Sequence, residues 1–351
     1  MKKIILLLFL LIPINVFSLS ASSVTVMDMD TNRVLYSYNE NDKRLIASIS
    51  KIMTAYVTLN NYDIDKVISV DESILMSYGS GIYVEVGEKI SIRDLLYGLM
   101  LRSGNDAAIQ IANIVGGSME GFATLMNETA KNLGMKSTYF LNSSGLEEND
   151  GNGNTSTSYD MAILMSEAMK NKTFREIVNT KKHIVKTNYK TYIWHNKNKL
   201  LNSYEYCNGG KTGFTEKARR TLVTTASKDN MNLVIVTLND PNDFLDHKTL
   251  YEEYFNKYKS YKVLNKNEKF TNKSYYIKND KYLTLTNDEY KNIENEIVIF
   301  EENVSDLVGI INVKLDGKIM AKEYIYEKLE KKVKAKKTSL WVKIINFFNN
   351  L

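Results

Sequence analysis

The chain has 351 residues, of which 44% are hydrophobic, so it is long enough for two domains or for one large domain with a tail. Its formal net charge is only +5, and acidic and basic residues are mixed along most of the chain, so nothing in the composition indicates nucleic-acid binding. Cys207 is the only cysteine, which excludes an internal disulfide.

Residues 1–20 predict a secretory signal peptide. Two lysines precede a short apolar run, and the small residues Ser18 and Ser20 suit cleavage before Ala21. The apolar run is short for a membrane span, and an N-terminal anchor that is never cleaved is the alternative interpretation. We therefore predict a protein that is exported across the cytoplasmic membrane.

Alternating apolar residues predict the strands of the region from residue 22 to about residue 260. Residues 22–29 and 33–38 flank an Asp-Thr-Asn turn and predict a β-hairpin, and residues 66–70 predict a short strand. Two later segments, 221–227 and 232–238, are also strand-like and are expected to pair.

Apolar residues at helical spacing predict the helices of the same region. Ser91 suits the N-cap of one of them, and Gly104 interrupts that helix after residue 102. The predicted helices are 48–60, 92–102, 106–116, 118–132, 158–170 and 243–258.

The chain changes character after Lys259. Short apolar and aromatic runs alternate there with turn residues, and Asp316-Gly317 is a strong hairpin signal. The predicted strands are 275–277, 282–285, 297–300, 307–313 and 319–326. We predict a small all-β domain over residues 263–328.

Residues 329–351 predict a membrane-anchoring segment. A basic run at 331–337 is followed by an amphipathic helix from Ser339, whose polar residues form one narrow stripe. Such a helix suits an anionic membrane surface, and it is too short to span the bilayer. The alternative is a helix that packs on the protein's own core.

Ser48 and Lys51 are spaced so that they share one face of a helix. A serine needs a base to become a nucleophile, and a lysine with a lowered pKa is such a base. Apolar residues surround the pair and would disfavour the lysine's charge. The Ser-x-x-Lys pattern is common, however, and a solvated helix face is its ordinary interpretation.

Two later motifs change this interpretation. Ser103-Gly104-Asn105 and then Lys211-Thr212-Gly213 follow the Ser-x-x-Lys pair. Each alone has a structural interpretation, as a helix break, a helix N-cap and a solvated strand end. Their joint appearance in this order is the three-part signature of penicillin-binding proteins and class A β-lactamases.

The segments around the motifs resemble the D-alanyl-D-alanine carboxypeptidases, which are low-molecular-mass penicillin-binding proteins. The similar segments are 47–55, 101–108 and 209–215, and the resemblance covers about residues 22–260. It implies an α+β fold, in which a β-lactamase/transpeptidase-like domain over 21–262 has an antiparallel sheet flanked by helices. The small β domain and the amphipathic tail fit the same family with much less specificity.

Chemistry and resemblance together imply a role for each catalytic candidate. Ser48 attacks the carbonyl of the terminal D-Ala-D-Ala bond, and Lys51 takes its proton. Ser103 relays a proton to the leaving D-alanine, and Asn105 holds Lys51 and the substrate amide.

The third motif is expected to bind the substrate. Lys211 and Thr212 contact its free carboxylate, and Gly213 leaves room for it along the strand. In this family the oxyanion donors are backbone N–H groups, here those of Ser48 and Phe214. The sequence departs from the family at residues 143–144, two serines where Pro-His is usual, and at Arg219, where glycine is common.

The histidines and the cysteine do not form an alternative catalytic site or a metal site in the sequence. His183, His195 and His247 raise the possibility of a Ser-His-Asp triad, but no serine lies in a Gly-x-Ser-x-Gly elbow. Three scattered histidines and one cysteine make no metal spacing, so we predict no metal and no cofactor. We expect Cys207 to be a buried small side chain rather than a nucleophile.

We therefore expect a serine D-alanyl-D-alanine carboxypeptidase on the outer face of the cell membrane. Its expected partners are peptidoglycan stem peptides, β-lactams and the anionic membrane surface. A D,D-endopeptidase and a β-lactamase are the alternatives among enzymes. A catalytically silent envelope protein that binds muropeptides is the alternative from another class.

Overall fold

The computed structural model describes residues 19–266, 275–300 and 306–327. These residues form two compact units, one up to Lys259 and one from Ser260. The predicted anchoring helix and all but the last two residues of the predicted signal peptide lie outside the described residues. Within the described residues, no helix is both long enough and apolar enough to cross a membrane.

The strands of the first unit include every strand that the sequence predicts there. They are β1 (Ser23–Asp28), β2 (Arg33–Tyr38), β3 (Arg44–Leu45), β4 (Val67–Ser69), β5 (Lys89–Ser91), β6 (Thr155–Ser156), β7 (Lys182–Lys186), β8 (Thr191–His195), β9 (Cys207–Thr215), β10 (Arg219–Lys228) and β11 (Met231–Leu238).

Five of these strands form the central antiparallel sheet, in the order β2-β1-β11-β10-β9. The predicted hairpin of β1 with β2 and the predicted pairing of β10 with β11 are both confirmed. Successive residues of a strand face opposite sides of a sheet, and in β11 Val234 and Val236 pack into one core cluster while Leu233 and Ile235 pack into another. Both faces of the sheet are therefore covered.

The six helices predicted for the first unit are present and begin close to the predicted residues, and two further helices are found. They are α1 (Lys51–Asn61), α2 (Ile92–Tyr97), α3 (Asn105–Gly116), α4 (Met119–Asn132), α5 (Ser158–Ala168), α6 (Lys172–Asn179), α7 (Leu200–Ser203) and α8 (Asp243–Lys257). Ser91 caps α2 as predicted, because its side chain accepts a hydrogen bond from the N–H of Asp94. Helix α5 packs on β1 and β11, and α8 packs on β10 and β11.

Several features of the first unit were not predicted, among them the short strands β3, β5 and β6 and the helix α7. Helix α2 continues as a π-helical turn over Gly98–Arg102. Helix α6 and the β7–β8 hairpin fill the region before β9, where no element was predicted. The signal for α6 was present, since Phe174, Ile177 and Val178 recur at helical spacing and are all buried.

The second unit has its own small core and is built mainly of strands. The turn at Asp316 and Gly317 has positive φ angles of 49° and 75°, as the predicted hairpin requires. A short capped helix was missed, so the unit is not all-β. The elements are β12 (Lys259–Leu264), which begins at the unit boundary, β13 (Tyr275–Ile277), β14 (Lys281–Leu285), α9 (Asn287–Lys291), β15 (Ile293–Ile299), β16 (Leu307–Leu315) and β17 (Lys318–Glu327).

Candidate active site

Ser48 lies on a short 3-10 turn, Ala47–Ser50, that leads directly into α1. The predicted helix is therefore present, but its first turn is tighter than an α-helix. The loop that follows α4 packs closely against this turn. Gly145 in that loop has φ +82°, and a Cβ atom on it would lie only 2.0 Å from the carbonyl oxygen of Ala47. Glycine is therefore required there for the Ser48 turn to keep its place.

Lys51 is the first residue of α1, and its side chain is fully buried. Its Nζ donates to the Oγ of Ser48 at 3.1 Å and to the Oδ1 of Asn105 at 2.7 Å. A third hydrogen bond goes to the backbone carbonyl of Ser144. The amine therefore has three acceptors, one from each of three separate segments.

The environment of Lys51 lowers the pKa of its amine to about 7. Burial is the main cause, because it disfavours the charged form, and the positive charge of Lys197 adds to it. The carboxylate of Asp106 acts in the opposite direction. A substantial fraction of the amine is therefore neutral near neutral pH.

Ser103 and Asn105 lie where the π-helical turn ends and α3 begins. Ser103 has the left-handed conformation, with φ 64° and ψ 38°, which is uncommon for a residue with a side chain. The N-cap of α3 is Gly104, so the alternative role of Asn105 as an N-cap is wrong. Instead, the Nδ2 of Asn105 donates to the carbonyl oxygen of Tyr78 at 2.6 Å, which aims its Oδ1 at Lys51.

Asp106 organises the loop that covers this region, and its role was not predicted. Its carboxylate is buried and accepts hydrogen bonds from the backbone N–H groups of Ile82, Tyr83 and Ala107. The loop that carries Tyr78 and Ser80 is thereby fixed against the start of α3.

The Lys-Thr-Gly motif lies within β9, the edge strand of the sheet. Lys211 is buried rather than solvated, and its Nζ donates to the carbonyl oxygen of Thr212 at 2.6 Å. Burial, together with the charges of Lys51 and Lys197, lowers the pKa of Lys211 well below its ordinary value. Among the described residues no carboxylate offsets this shift, and an anion placed beside the lysine would favour its charged form.

Gly213 is the point where β9 meets the Ser48 turn. A Cβ atom there would lie 2.3 Å from the Oγ1 of Thr221 and 3.0 Å from the backbone nitrogen of Ser48. The missing side chain therefore makes room for the Ser48 turn, and Gly213 also lines the cleft described below, so the predicted space for the substrate stays a prediction. The next residue, Phe214, has a side chain that is 60% exposed.

These segments meet around one cleft of about 360 Å³. Lys51, Asn105 and Lys211 are buried residues that do not line it, whereas the other five predicted site residues do. The cleft is lined by Ser48, Ser80, Ser103, Lys197, Lys199, Thr212, Gly213, Phe214, Arg220, Asp243 and Phe244. Among the described residues, no group of histidine, cysteine and carboxylate side chains is arranged to hold a metal ion.

The histidines and the cysteine lie outside the cleft lining. His247 is buried with both ring nitrogens close to threonine hydroxyls, and burial lowers its pKa to about 3. His183 pairs with Asp94 at 2.8 Å. Cys207 is buried, and burial raises the pKa of its thiol, as expected for a packing residue.

Besides Asp106, three contributors to the site were not predicted from the sequence. They are the backbone carbonyl of Ser144, the backbone carbonyl of Tyr78 and the cation of Lys197. Lys197 is anchored at the cleft wall by a 3.0 Å hydrogen bond to the Oγ of Ser80. A backbone carbonyl has no sequence signature, so only Lys197 was open to prediction, as a cation close before the third motif.

An antiparallel sheet between helices, with a Ser-x-x-Lys turn packed on its edge strand, defines the class of penicillin-binding serine enzymes. Within that class, the chain belongs to the D-alanyl-D-alanine carboxypeptidase family, whose sequence profile matches residues 13–242. The family and the α+β fold expected from the sequence are both confirmed.

Individual relatives agree with this assignment. The chain is 29% identical over 338 residues to the D-alanyl-D-alanine carboxypeptidase DacF of Bacillus subtilis, with 89% of this chain and 86% of the relative covered. It is 35% identical over 227 residues to a D-alanyl-D-alanine carboxypeptidase of a Streptomyces species, with 59% of this chain and 77% of the relative covered.

Solved structures show the same similarity. The crystal structure of a D-alanyl-D-alanine carboxypeptidase from Mycobacterium tuberculosis matches with a TM-score of 0.65 and 29% identity, covering 68% of this chain and 92% of that one. The protein is thus a serine-type D-alanyl-D-alanine carboxypeptidase, a cell-wall hydrolase that acts on peptidoglycan peptides and binds penicillin.

Proposed function

We propose that Ser48 is the nucleophile of this enzyme and that Lys51 is its base. A neutral amine has two hydrogens and one lone pair. If the hydrogens go to Asn105 and Ser144, the lone pair faces the Ser48 hydroxyl at 3.1 Å and accepts its proton as the oxygen attacks. This arrangement of three acceptors around one buried amine is the observation that carries the proposal.

Ser103 and Asn105 complete the proton path. Ser103 lines the cleft beside Ser48, and we assign it the transfer of a proton to the amine of the leaving D-alanine. Asn105 keeps the lysine oriented through its Oδ1, because its Nδ2 is already committed to Tyr78. Water then hydrolyses the acyl-serine, and a β-lactam forms a similar acyl-enzyme.

The third motif is proposed to recognise the free carboxylate of the substrate. Thr212 lines the cleft, and among the described residues no carboxylate offsets the positive charges that act on the buried Lys211 before it. The backbone N–H groups of Ser48 and Phe214 are the proposed oxyanion donors. Each such donor contributes about 3 kcal/mol to transition-state stabilisation.

The proposed exopeptidase activity is tested with purified muropeptides and mass spectrometry. Incubation of monomeric pentapeptide muropeptides should release one D-alanine, and tetrapeptide muropeptides should remain unchanged as the control. Cross-linked dimers distinguish the alternatives, because their conversion to monomers without loss of D-alanine from pentapeptides would assign endopeptidase action instead.

The rate of acylation by benzylpenicillin should depend on the protonation of Lys51. The base acts only when neutral, so the second-order acylation rate should rise about tenfold per pH unit below pH 7 and level off above it. The midpoint should lie at about pH 7. Stopped-flow or quenched labelling between about pH 5 and about pH 9 measures this profile.

A variant of Lys197 tests whether the midpoint of the pH profile belongs to Lys51. Its positive charge is one cause of the low pKa of Lys51, so Lys197→Met should move the midpoint to higher pH. Lys199→Met removes a charge from the same cleft and should leave the midpoint in place, since Lys199 is not among the causes of the shift. If the midpoint does not change in Lys197→Met, a group other than Lys51 controls the pH dependence.

We further propose that the protein is exported and is held at the outer face of the cell membrane by its C-terminal segment. The basic run and the amphipathic pattern after residue 328 support this proposal. Truncation after Tyr326 is expected to move the protein from the membrane pellet to the soluble fraction, with penicillin labelling retained. A truncated protein that still sediments with membranes would contradict the proposed anchor.

A further inference from the structure

Two carboxylates are buried together where β11 leads into α8. The side chains of Asp240 and Asp246 are 0% and 2% exposed. Both contact Ser20, whose hydroxyl lies 2.7 Å from Asp240 Oδ1 and 2.9 Å from Asp246 Oδ2. The backbone N–H of Ser20 also donates to Asp246 Oδ2 at 2.8 Å. Ser20 therefore contacts both carboxylates of the pair.

Among the described residues, the pair has few hydrogen-bond donors and no positively charged partner. The Ser20 hydroxyl has one hydrogen for two carboxylates, and the Oδ2 of Asp240 is buried without a hydrogen-bond partner. Burial raises the pKa of Asp240 to about 6, and the negative charge of Asp246 adds to this effect. In the described part of the chain, neither carboxylate forms an ion pair with a lysine or arginine.

The groups around the pair do not supply the missing charge. His247 follows Asp246 in α8, but it is neutral at pH 7 because burial lowers its pKa to about 3. Thr237 and the backbone N–H of Asn242 face Asp240 as neutral hydrogen-bond donors. The nearby Arg220 is already bound to Asp243.

The residues that contact the pair belong to the folded unit. Leu19 packs against the core cluster on the α8 side of the sheet, and Ser20 makes the hydrogen bonds described above. Cleavage before Ala21, as the sequence predicts, would remove both residues. Cleavage between Ser18 and Leu19 keeps them, and it leaves the small residue Ser18 next to the cleaved bond.

We propose that the exported protein begins at Leu19 and that its new α-ammonium group pairs with the buried carboxylates of Asp240 and Asp246. Water adds across the Ser18–Leu19 peptide bond in the leader peptidase, leaving a carboxylate on Ser18 and an ammonium on Leu19. That nitrogen lies one residue, at most about 3.6 Å, from the Ser20 N–H that already touches Asp246. An opposite charge within about 6 Å favours the charged form of each partner.

Removal of the signal peptide would thus place a positive charge, the α-ammonium of Leu19, beside the two buried carboxylates. The inference rests on the proposed export, and the intact mass of the exported full-length protein separates the two. A chain that begins at Leu19 is the expected result. A chain that begins at Ala21, or one that keeps residues 1–18 as an uncleaved anchor, overturns the inference and leaves export standing, whereas a chain found only in the cytoplasm overturns both.

The ion pair itself is tested by thermal unfolding of the exported protein at about pH 7 and about pH 9.5. A free α-amino group has a pKa of about 7.7–8.0, and pairing raises the folded-state pKa above it. The stabilisation is therefore present at pH 7 and is lost as the pH rises through the folded-state pKa. Asp246→Asn should lower the Tm by about 4 °C at the lower pH and by about 1 °C at the higher.

Asp229→Asn, a change at an exposed turn residue, is the matched control and should lower the Tm at neither pH. An equal loss of Tm at both pH values in Asp246→Asn would assign Asp246 a purely structural role and overturn the pairing. If Asp246→Asn does not fold, Asp240→Asn gives the same comparison.

Discussion

Replacement of Ser48 by alanine is expected to abolish covalent labelling by fluorescent penicillin. The acyl-enzyme needs an oxygen at this position, and removal of a catalytic nucleophile lowers the rate by a factor on the order of 10⁶. Ser48 is only partly buried, and alanine fills the same small space, so the protein should fold with an unchanged Tm. A labelled band on a denaturing gel measures the result.

Ser50→Ala is the matched control for this experiment. Ser50 lies on the same 3-10 turn, but its buried hydroxyl donates to the carbonyl oxygen of Ala47 at 2.7 Å. Its loss should reduce stability by about 1 kcal/mol and leave labelling intact. Labelling that persists in Ser48→Ala would move the nucleophile to another serine of the cleft, with Ser103 as the first to examine.

Local chemistry made much of the fold predictable. The N-cap at Ser91 and the hairpin turn at Asp316 and Gly317 depend on residues within four positions of one another, so sequence alone is sufficient. The same is true of the Ser48–Lys51 pair, whose spacing already makes the two side chains neighbours. The two other motifs were predicted by resemblance, because no local rule joins residues 54 or more positions apart.

The parts that were missed depend on tertiary contacts. The third acceptor of Lys51 is a backbone carbonyl 93 residues away, and the orientation of Asn105 depends on the carbonyl of Tyr78. Any residue type has a carbonyl, so the pair of serines at 143–144 replaces the family's Pro-His without removing that acceptor. The sequence showed this departure, and only the structure shows that it leaves the lysine bound.

Electrostatics connect the three lysines of the site. Lys51, Lys197 and Lys211 all have lowered pKa values, chiefly through burial. The positive charges of Lys197 and Lys51 add to this effect on their neighbours, so full protonation of the three lysines is disfavoured. Under the proposed recognition of the substrate, a carboxylate would relieve this repulsion and a neutral C-terminal amide would not. The same charges that keep Lys51 partly neutral therefore favour an anionic chain end.

Replacement of Lys51 by methionine is expected to slow acylation by penicillin at least about 10³-fold, because it removes the base and leaves the nucleophile in place. Methionine has a similar length and suits a fully buried position. It leaves Asn105 Oδ1 and the Ser144 carbonyl without their donor, at about 1–3 kcal/mol each. Unfolding measurements and labelling time courses separate the two effects.

Lys51→Arg distinguishes a base from a mere hydrogen-bond donor. A guanidinium can still donate to the same acceptors, but it stays protonated at all working pH values and cannot take a proton. We therefore expect it to be about as slow as Lys51→Met, and no increase in pH should restore its rate. Lys199→Met removes a lysine from the same cleft and should label normally. Labelling of Lys51→Arg at near the wild-type rate would show that Lys51 only positions Ser48, and a different group would then have to accept the proton.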